Sequence, residues 1–295
     1  MRTKLLGWSV CLGLLGIMVF PLASSAQLTK EDIDTRLNME SHIGNLTGHA
    51  SSSTAKSDYR RYCVGCHGDL GDGNGEVAQW LDPPMWPKPR DFQLGIFKCR
   101  STLTGTLPTD QDLFDTIARG LDRSAMPIWN VFTKQQRADL VAWVKHFSPR
   151  FVTEKPGTPI QIPPEPEITP DRVKAGQDVY ARVQCWKCHG VTGEANGPSA
   201  STLTDDLGRP IAAFNFTDGS RPKCGSTDED IYRIFMTGLD GTPMPSFADN
   251  IKPEEAWDLV FYLRTLQPHN EFNKREREIA NQIGLKPLNA LKLSQ

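Results

Sequence analysis

With 295 residues, the chain is long enough for two domains of ordinary size. Its hydrophobic content of 38% and charged content of 23% are typical of a soluble globular protein. The formal net charge of -2 at pH 7 argues against a nucleic-acid-binding protein, because such proteins need a basic face.

The first predicted element is a secretory signal over residues 1–26. Basic residues Arg2 and Lys4 precede an apolar run that ends at Leu22, and the small residue Ala26 stands at the expected cleavage site. Because the apolar run is long for a signal, an uncleaved membrane anchor is the alternative. Cleavage would export the chain, so we expect it in the periplasm, either soluble or peripherally associated with a membrane.

Composition divides the rest of the chain into five segments. Residues 27–54 are polar and predict a flexible segment, and residues 149–169 are rich in proline and predict an extended linker. The two predicted domains lie on either side of this linker, at residues 55–148 and 170–268. Residues 269–295 form a C-terminal tail that could hold a short helix.

The two domains are copies of one unit. The segment Thr109–Trp129 aligns without a gap with Thr227–Phe247, which lies 118 residues later. A Cys-x-x-Cys-His motif also occurs in each copy, and its first cysteines, Cys63 and Cys185, are 122 residues apart. A tandem duplication with small loop insertions explains both spacings.

Each copy is predicted to be helical. In the second copy, Thr169 caps a helix that begins at Pro170, and Thr227 caps a helix whose first turn is acidic. Apolar residues recur at helical spacing around Trp257, and a partner segment closes the first copy. No run alternates apolar and polar residues long enough to predict a strand. The expected fold class is therefore all-α, with two tandem helical domains.

Three kinds of site fit the Cys-x-x-Cys-His motifs. A zinc site needs four ligands, so motifs from the two domains would have to meet. A thioredoxin-type redox pair needs a βαβ setting, which the helical pattern does not predict. Covalent attachment of a c-type haem uses both cysteines and places the next histidine under the iron. The duplication and the export signal favour two covalently bound haem c groups, attached through Cys63, Cys66, His67, Cys185, Cys188 and His189.

Methionines are the candidates for the far side of each haem. Met126 and Met244 stand beside a proline at matched positions of the two copies. A thioether is a soft ligand that raises the haem potential. Met85 and Met236 are rivals without a counterpart in the other copy, and packing in a core is the ordinary alternative for any methionine. The predicted iron ligands are His67, Met126, His189 and Met244.

The two remaining cysteines of the exported chain also match between the copies. Cys99 lies in FKCRST and Cys224 lies in PKCGST. In an oxidising compartment, pseudo-twofold packing of a duplicated protein can bring equivalent residues together. We therefore predict a Cys99–Cys224 disulfide between the domains, with two unpaired buried cysteines as the alternative.

The motifs resemble those of tandem class I cytochromes c, the dihaem group that includes cytochrome c4. The resemblance covers about residues 55–148 and 170–267. It rests on CVGCHG and CWKCHG, on GLDRSAMPIW and GLDGTPMPSF, and on DLVAWV and DLVFYL. It implies two small helical haem domains, histidine and methionine ligation, and periplasmic electron transfer.

With both axial positions filled by the protein, we expect relay of single electrons and no catalytic residues. The expected partners are a protein donor and a protein acceptor, such as a membrane respiratory complex or a periplasmic oxidoreductase. No small-molecule substrate and no nucleic acid is expected. The alternative is a dihaem enzyme that oxidises a sulfur compound, similar to thiosulfate dehydrogenases, in which Cys99 or Cys224 is a reactive thiolate.

Overall fold

The computed structural model describes residues 30–80 and 87–288. The predicted signal over residues 1–26 and the rival ligand Met85 lie outside the described residues. Within the described residues, no helix combines the length and apolar character that a membrane span needs.

Helices make up nearly all of the regular secondary structure in the described residues and form two tandem domains, which confirms the predicted fold class. Up to the end of the first domain and into the linker, the elements are α1 (Lys30–Leu37), β1 (Glu40–Ile43), β2 (Leu46–His49), α2 (Ser53–Asp58), α3 (Val64–His67), α4 (Glu76–Trp80), α5 (Asp110–Arg119), α6 (Lys134–Lys145) and α7 (Arg150–Thr153). The later elements are α8 (Pro170–Arg182), α9 (Trp186–His189), α10 (Asp228–Thr237), α11 (Pro253–Leu266) and α12 (Lys274–Gln282).

Each domain has its own hydrophobic core, built where its first and last helical segments meet. In the first domain, the ring of Tyr59 lies 6.3 Å from that of Trp143 on α6. In the second, the ring of Tyr180 on α8 lies 5.3 Å from that of Tyr262 on α11. Buried apolar area is the main stabilising contribution in each core, and the matched aromatic pairs place the same helices together in both copies.

Within residues 30–54, the segment before the first domain contains ordered elements, which differs from the flexibility expected for residues 27–54. Strands β1 and β2 pair as an antiparallel hairpin that lies on α6. The buried Ser41 hydroxyl donates to the carbonyl of Ala138 at 2.7 Å. Gly48 permits this contact, because a Cβ at that position would overlap the Ala138 backbone. Hydrogen bonds to a neighbouring helix and burial of Ile43 and Ala50 in the core order this segment, whose composition is too polar to predict either.

The close crossing of α8 and α11 depends on Gly176. A Cβ at this position would overlap the backbone carbonyl of Asp258 on α11. The absence of a side chain therefore lets the two helices approach along the same stretch that holds Tyr180 and Tyr262 together.

Gly176→Val is expected to lower the free energy of unfolding of the second domain by about 1–3 kcal/mol, because overpacking forces the helices apart. Denaturant unfolding followed by circular dichroism measures this. Lys174→Val is the matched control, since it adds the same β-branched side chain on the exposed side of α8. Equal stability of the two variants would show that the crossing tolerates a side chain.

The proline-rich linker runs along both domains. Ile160 donates its backbone N–H to the carbonyl of Ser101 in the first domain at 2.8 Å. Further along, the carbonyl of Pro163 accepts a hydrogen bond from the indole of Trp257 in the second domain at 3.0 Å. Except for the short α7, the linker is extended, as its proline content predicts.

The C-terminal tail contains α12, which packs on α8 and α11. The buried Asn273 amide donates to the carbonyl of Arg264 at 3.2 Å, and Arg277 donates to the carbonyl of Gln267 at 2.6 Å. The tail helix therefore covers the end of the second domain.

A polar contact also joins the two domains. The buried guanidinium of Arg100 donates to the carbonyl of Thr237 and to the carboxylate of Asp240, both at 2.7 Å. The backbone N–H of Gly105 donates to the other Asp240 oxygen at 2.8 Å. Asp240 belongs to the loop between α10 and Met244, so this contact ties the first domain to the methionine loop of the second.

Candidate cofactor sites

The first Cys-x-x-Cys-His motif occupies two short helical turns. Residues Tyr59–Cys63 form a π-helical turn, and α3 continues from it to His67. The hydroxyl of buried Tyr59 donates to the carbonyl of Gly68 at 2.7 Å, which fixes the end of the motif against the preceding helix. Cys63 and Cys66 are half-buried and unbridged.

The second motif repeats this arrangement. Tyr180 on α8 donates its hydroxyl to the carbonyl of Gly190 at 2.6 Å, and α9 carries Cys188 and His189. Cys185 and Cys188 are likewise half-buried and unbridged. The structure thus brings together the predicted residues of each motif within its own domain.

Each histidine is held by a backbone carbonyl. Nδ1 of His67 donates to the carbonyl of Arg90 at 3.2 Å, and Nδ1 of His189 donates to the carbonyl of Phe214 at 2.8 Å. Burial lowers the pKa of His67 to about 4 and lowers that of His189 as well, so both imidazoles are neutral at pH 7. A proton fixed on Nδ1 leaves the lone pair of Nε2 available to a metal.

The methionine loops have the same hydrogen bonds in both domains. Leu121 donates its N–H to the carbonyl of Met126 at 3.1 Å, and Leu239 does the same to Met244 at 3.0 Å. Each methionine N–H donates in turn to a hydroxyl two residues earlier. Met236, a rival ligand, is instead buried in the core of the second domain.

A cavity in the first domain joins the histidine and methionine sides. It encloses about 1100 Å³, counting its open mouth, and its walls include Cys63, Cys66, His67 and Met126. Much of the remaining wall is apolar, and the Thr116 hydroxyl there is buried without a hydrogen-bond partner among the described residues. A large apolar cavity with a neutral imidazole, a thioether and two thiols fits a covalently attached haem.

The structure argues against the other two kinds of site. Among residues 30–80 and 87–288, no three metal-binding side chains of the His, Cys, Asp or Glu type come together, so the two motifs do not form a zinc site. Burial raises the pKa of Cys63 and of Cys185 to about 12. Disulfide oxidoreductases need the opposite shift, toward a thiolate at neutral pH.

Cys99 and Cys224 lie together at the junction of the domains as a disulfide, with Cα atoms 5.2 Å apart. Both are buried, and Cys99 also lines the cavity of the first domain. In this form neither sulfur is a thiolate, so the nucleophile of the alternative sulfur-oxidising function is not present.

The carbonyls that orient the histidines were not predicted. A signal for them exists in the repeat, because Arg90 precedes DFQ and Phe214 precedes NFT at matched positions. The ring of Phe92 lies 4.4 Å from that of His67, and the ring of Phe216 lies 5.0 Å from that of His189. The matched aromatics mark the segment that passes over each histidine.

Comparisons with known proteins agree with the two-domain arrangement. The family model described as cytochrome c matches residues 173–267, and the model described as cytochrome c oxidase, cbb3-type, subunit III, matches residues 50–144. A solved chain from the reducing HAO-like protein complex of Kuenenia stuttgartiensis is 41% identical, with a TM-score of 0.70. The match covers 74% of the present chain and 97% of that chain. No curated protein matched the sequence.

Proposed function

Because the chain belongs to the tandem dihaem cytochromes c, which carry two covalently bound haem c groups, we propose that it relays single electrons between protein redox partners. The haem irons supply reversible one-electron oxidation and reduction. The observation that carries the proposal is the pairing of a neutral His67 with Met126 at one cavity, because these two side chains would then hold the iron for electron transfer without a substrate.

In each domain, two of the assigned residues would attach the haem and two would bind its iron. The cysteines of each motif would attach the haem, and the imidazole and thioether would bind its iron. The carbonyls of Arg90 and Phe214 orient the two imidazoles. The assigned residues are Cys63, Cys66, His67 and Met126 in the first domain, and Cys185, Cys188, His189 and Met244 in the second.

A periplasmic location is part of the proposal. The Cys99–Cys224 disulfide supports it, since such bonds persist in oxidising compartments and are rare in the cytosol. The similar chain belongs to a reducing HAO-like protein complex. This likeness supports a place for the present chain as the electron-transferring subunit of a larger oxidoreductase.

The test combines haem counting with electron counting. Intact mass should show two covalent haems per chain, and fully reduced protein should pass two electrons to a monohaem cytochrome of higher potential. Cys185→Ala removes one attachment of the second haem. The number of haems per chain and the number of electrons released per chain should therefore both fall toward one. Turnover of thiosulfate by the wild-type protein, or release of a single electron per chain, would contradict the relay.

A further inference from the structure

Besides Lys88, which donates to the side-chain oxygen of Asn74 at 2.9 Å, three basic side chains line the cavity of the first domain: Arg90, Lys98 and Lys223. Lys223 belongs to the second domain. Lys98 and Lys223 directly precede the two disulfide-bonded cysteines, so the Cys99–Cys224 bond brings these matched lysines to the same place. The wall of the first cavity is therefore completed by a residue from the other copy.

These three cations have no bonded partner within residues 30–80 and 87–288: their side chains enter none of the hydrogen bonds or ion pairs found there. Two other basic residues at the same junction are paired. Arg100 binds Asp240 at 2.7 Å, and Arg123 binds Asp218 at 3.3 Å. Arg119 at this junction also has a buried Nε without a hydrogen-bond partner among the described residues, so the argument for the cavity rests on the lysines that line it.

The surroundings are unfavourable for isolated cations. Burial, the largest cause, lowers the pKa of Lys98 and that of Lys223 to about 8. Nearby charges also lower them, those of Arg90 and Lys223 at Lys98 and those of Arg123 and Arg90 at Lys223. The carboxylates of Asp205 and Asp206 raise the pKa of Lys98, but by less than burial and the neighbouring cations lower it. Half-buried cations that lie close to one another are stabilised by a bound anion.

We propose that Lys98 and Lys223 together bind the carboxylate groups of the first haem, so that the second domain completes the first haem site. The inference rests on the proposed function only in placing a haem in this cavity. A haem bears two propionate carboxylates, and a charge-assisted hydrogen bond from an ammonium group to a carboxylate is among the stronger interactions in a protein. The apolar remainder of the wall suits the rest of the macrocycle and would not suit a small hydrated anion.

Cations at this position would also raise the affinity of the first iron for an electron, since the charge around a haem is one of the protein's means of setting its potential. Lys98→Gln and Lys223→Gln should therefore each favour the oxidised first haem. We expect the ratio of reduced to oxidised first haem at a fixed electrode potential to fall at least threefold in each variant.

The experiment is a spectroelectrochemical titration of the intact two-haem protein. The component that belongs to the first haem is identified as the one missing in Cys63→Ala. Lys134→Gln, on the exposed start of α6, is the matched control with the same loss of charge. Lys98→Arg and Lys223→Arg keep the cation and should keep the wild-type ratio.

A shift of the first component in both glutamine variants, with none in the control or the arginine variants, supports the inference. An unchanged first component in Lys223→Gln, or equal shifts in Lys134→Gln, would overturn it. If a glutamine variant loses haem or fails to fold while its arginine counterpart is normal, the site requires a cation, which supports the inference. If the glutamine and the arginine variant of the same lysine both fail, the lysine has a packing role and the inference is refuted. The titration uses no protein partner, so its outcome is independent of whether the relay proposal holds.

Discussion

Met126→Ala is expected to let one carbon monoxide molecule bind per reduced chain, at the first haem, where the wild-type protein binds none. Removal of the thioether opens the sixth position of that iron, and carbon monoxide occupies open ferrous haem sites. Met244 remains in the second domain, so the second iron stays closed. Absorption spectra of the reduced protein with and without carbon monoxide, combined with gas titration, measure the number of sites.

Two further variants make this test specific. Met244→Ala should open the second site alone, and the two changes together should give two sites per chain. Met236→Leu is the matched control, because Met236 is a methionine of the second domain that lies in its core. Carbon monoxide binding at both haems of the reduced wild-type protein would show that these methionines are not the ligands.

Replacement of both Cys99 and Cys224 by serine is expected to lower the free energy of unfolding by about 2–5 kcal/mol. The bond closes a loop with a sequence separation of 125 residues, so it restricts the unfolded chain strongly in the chain-entropy model. The double variant is preferable to a single one, because it leaves no unpaired thiol. Denaturant unfolding under non-reducing conditions measures the difference.

A reductant provides the control for this measurement. It should destabilise the wild-type protein by a similar amount and leave the double variant unchanged. Alkylation of two thiols in unfolded wild-type protein that was never reduced would contradict the disulfide itself. A normal stability of the double variant would show instead that the Arg100–Asp240 contact and the linker suffice to hold the domains together.

Much of each site could be predicted from local sequence. The cysteines and histidine of a motif are neighbours in the chain, so a few helical turns determine how they are placed. Met126 and Met244 were harder to assign, because about 60 residues separate each from its histidine. The duplication favours Met244 over Met236 by position, and the structure places Met236 in the core.

The hairpin over residues 40–49 could not be predicted in the same way. Its strands are four residues long and mostly polar, although Ile43 packs into the core of the first domain. Hydrogen bonds to α6 and α5 also hold them in place. Those partners lie more than 65 residues further along the chain. Neither strand propensity nor apolar periodicity contains that information.

The sequence by itself determined the repeated helical unit, the two haem-attachment motifs and the pair of equivalent cysteines, because each depends on residue identity and short or repeated spacing. Only the tertiary structure decided which backbone carbonyls hold the histidines, and that Arg90, Lys98 and Lys223 share a cavity with His67. Every residue has a backbone carbonyl, and nothing in the sequence distinguishes these lysines from lysines exposed to solvent. What distinguishes these groups is proximity across loops and across the two domains, which is set by the packing of the whole chain.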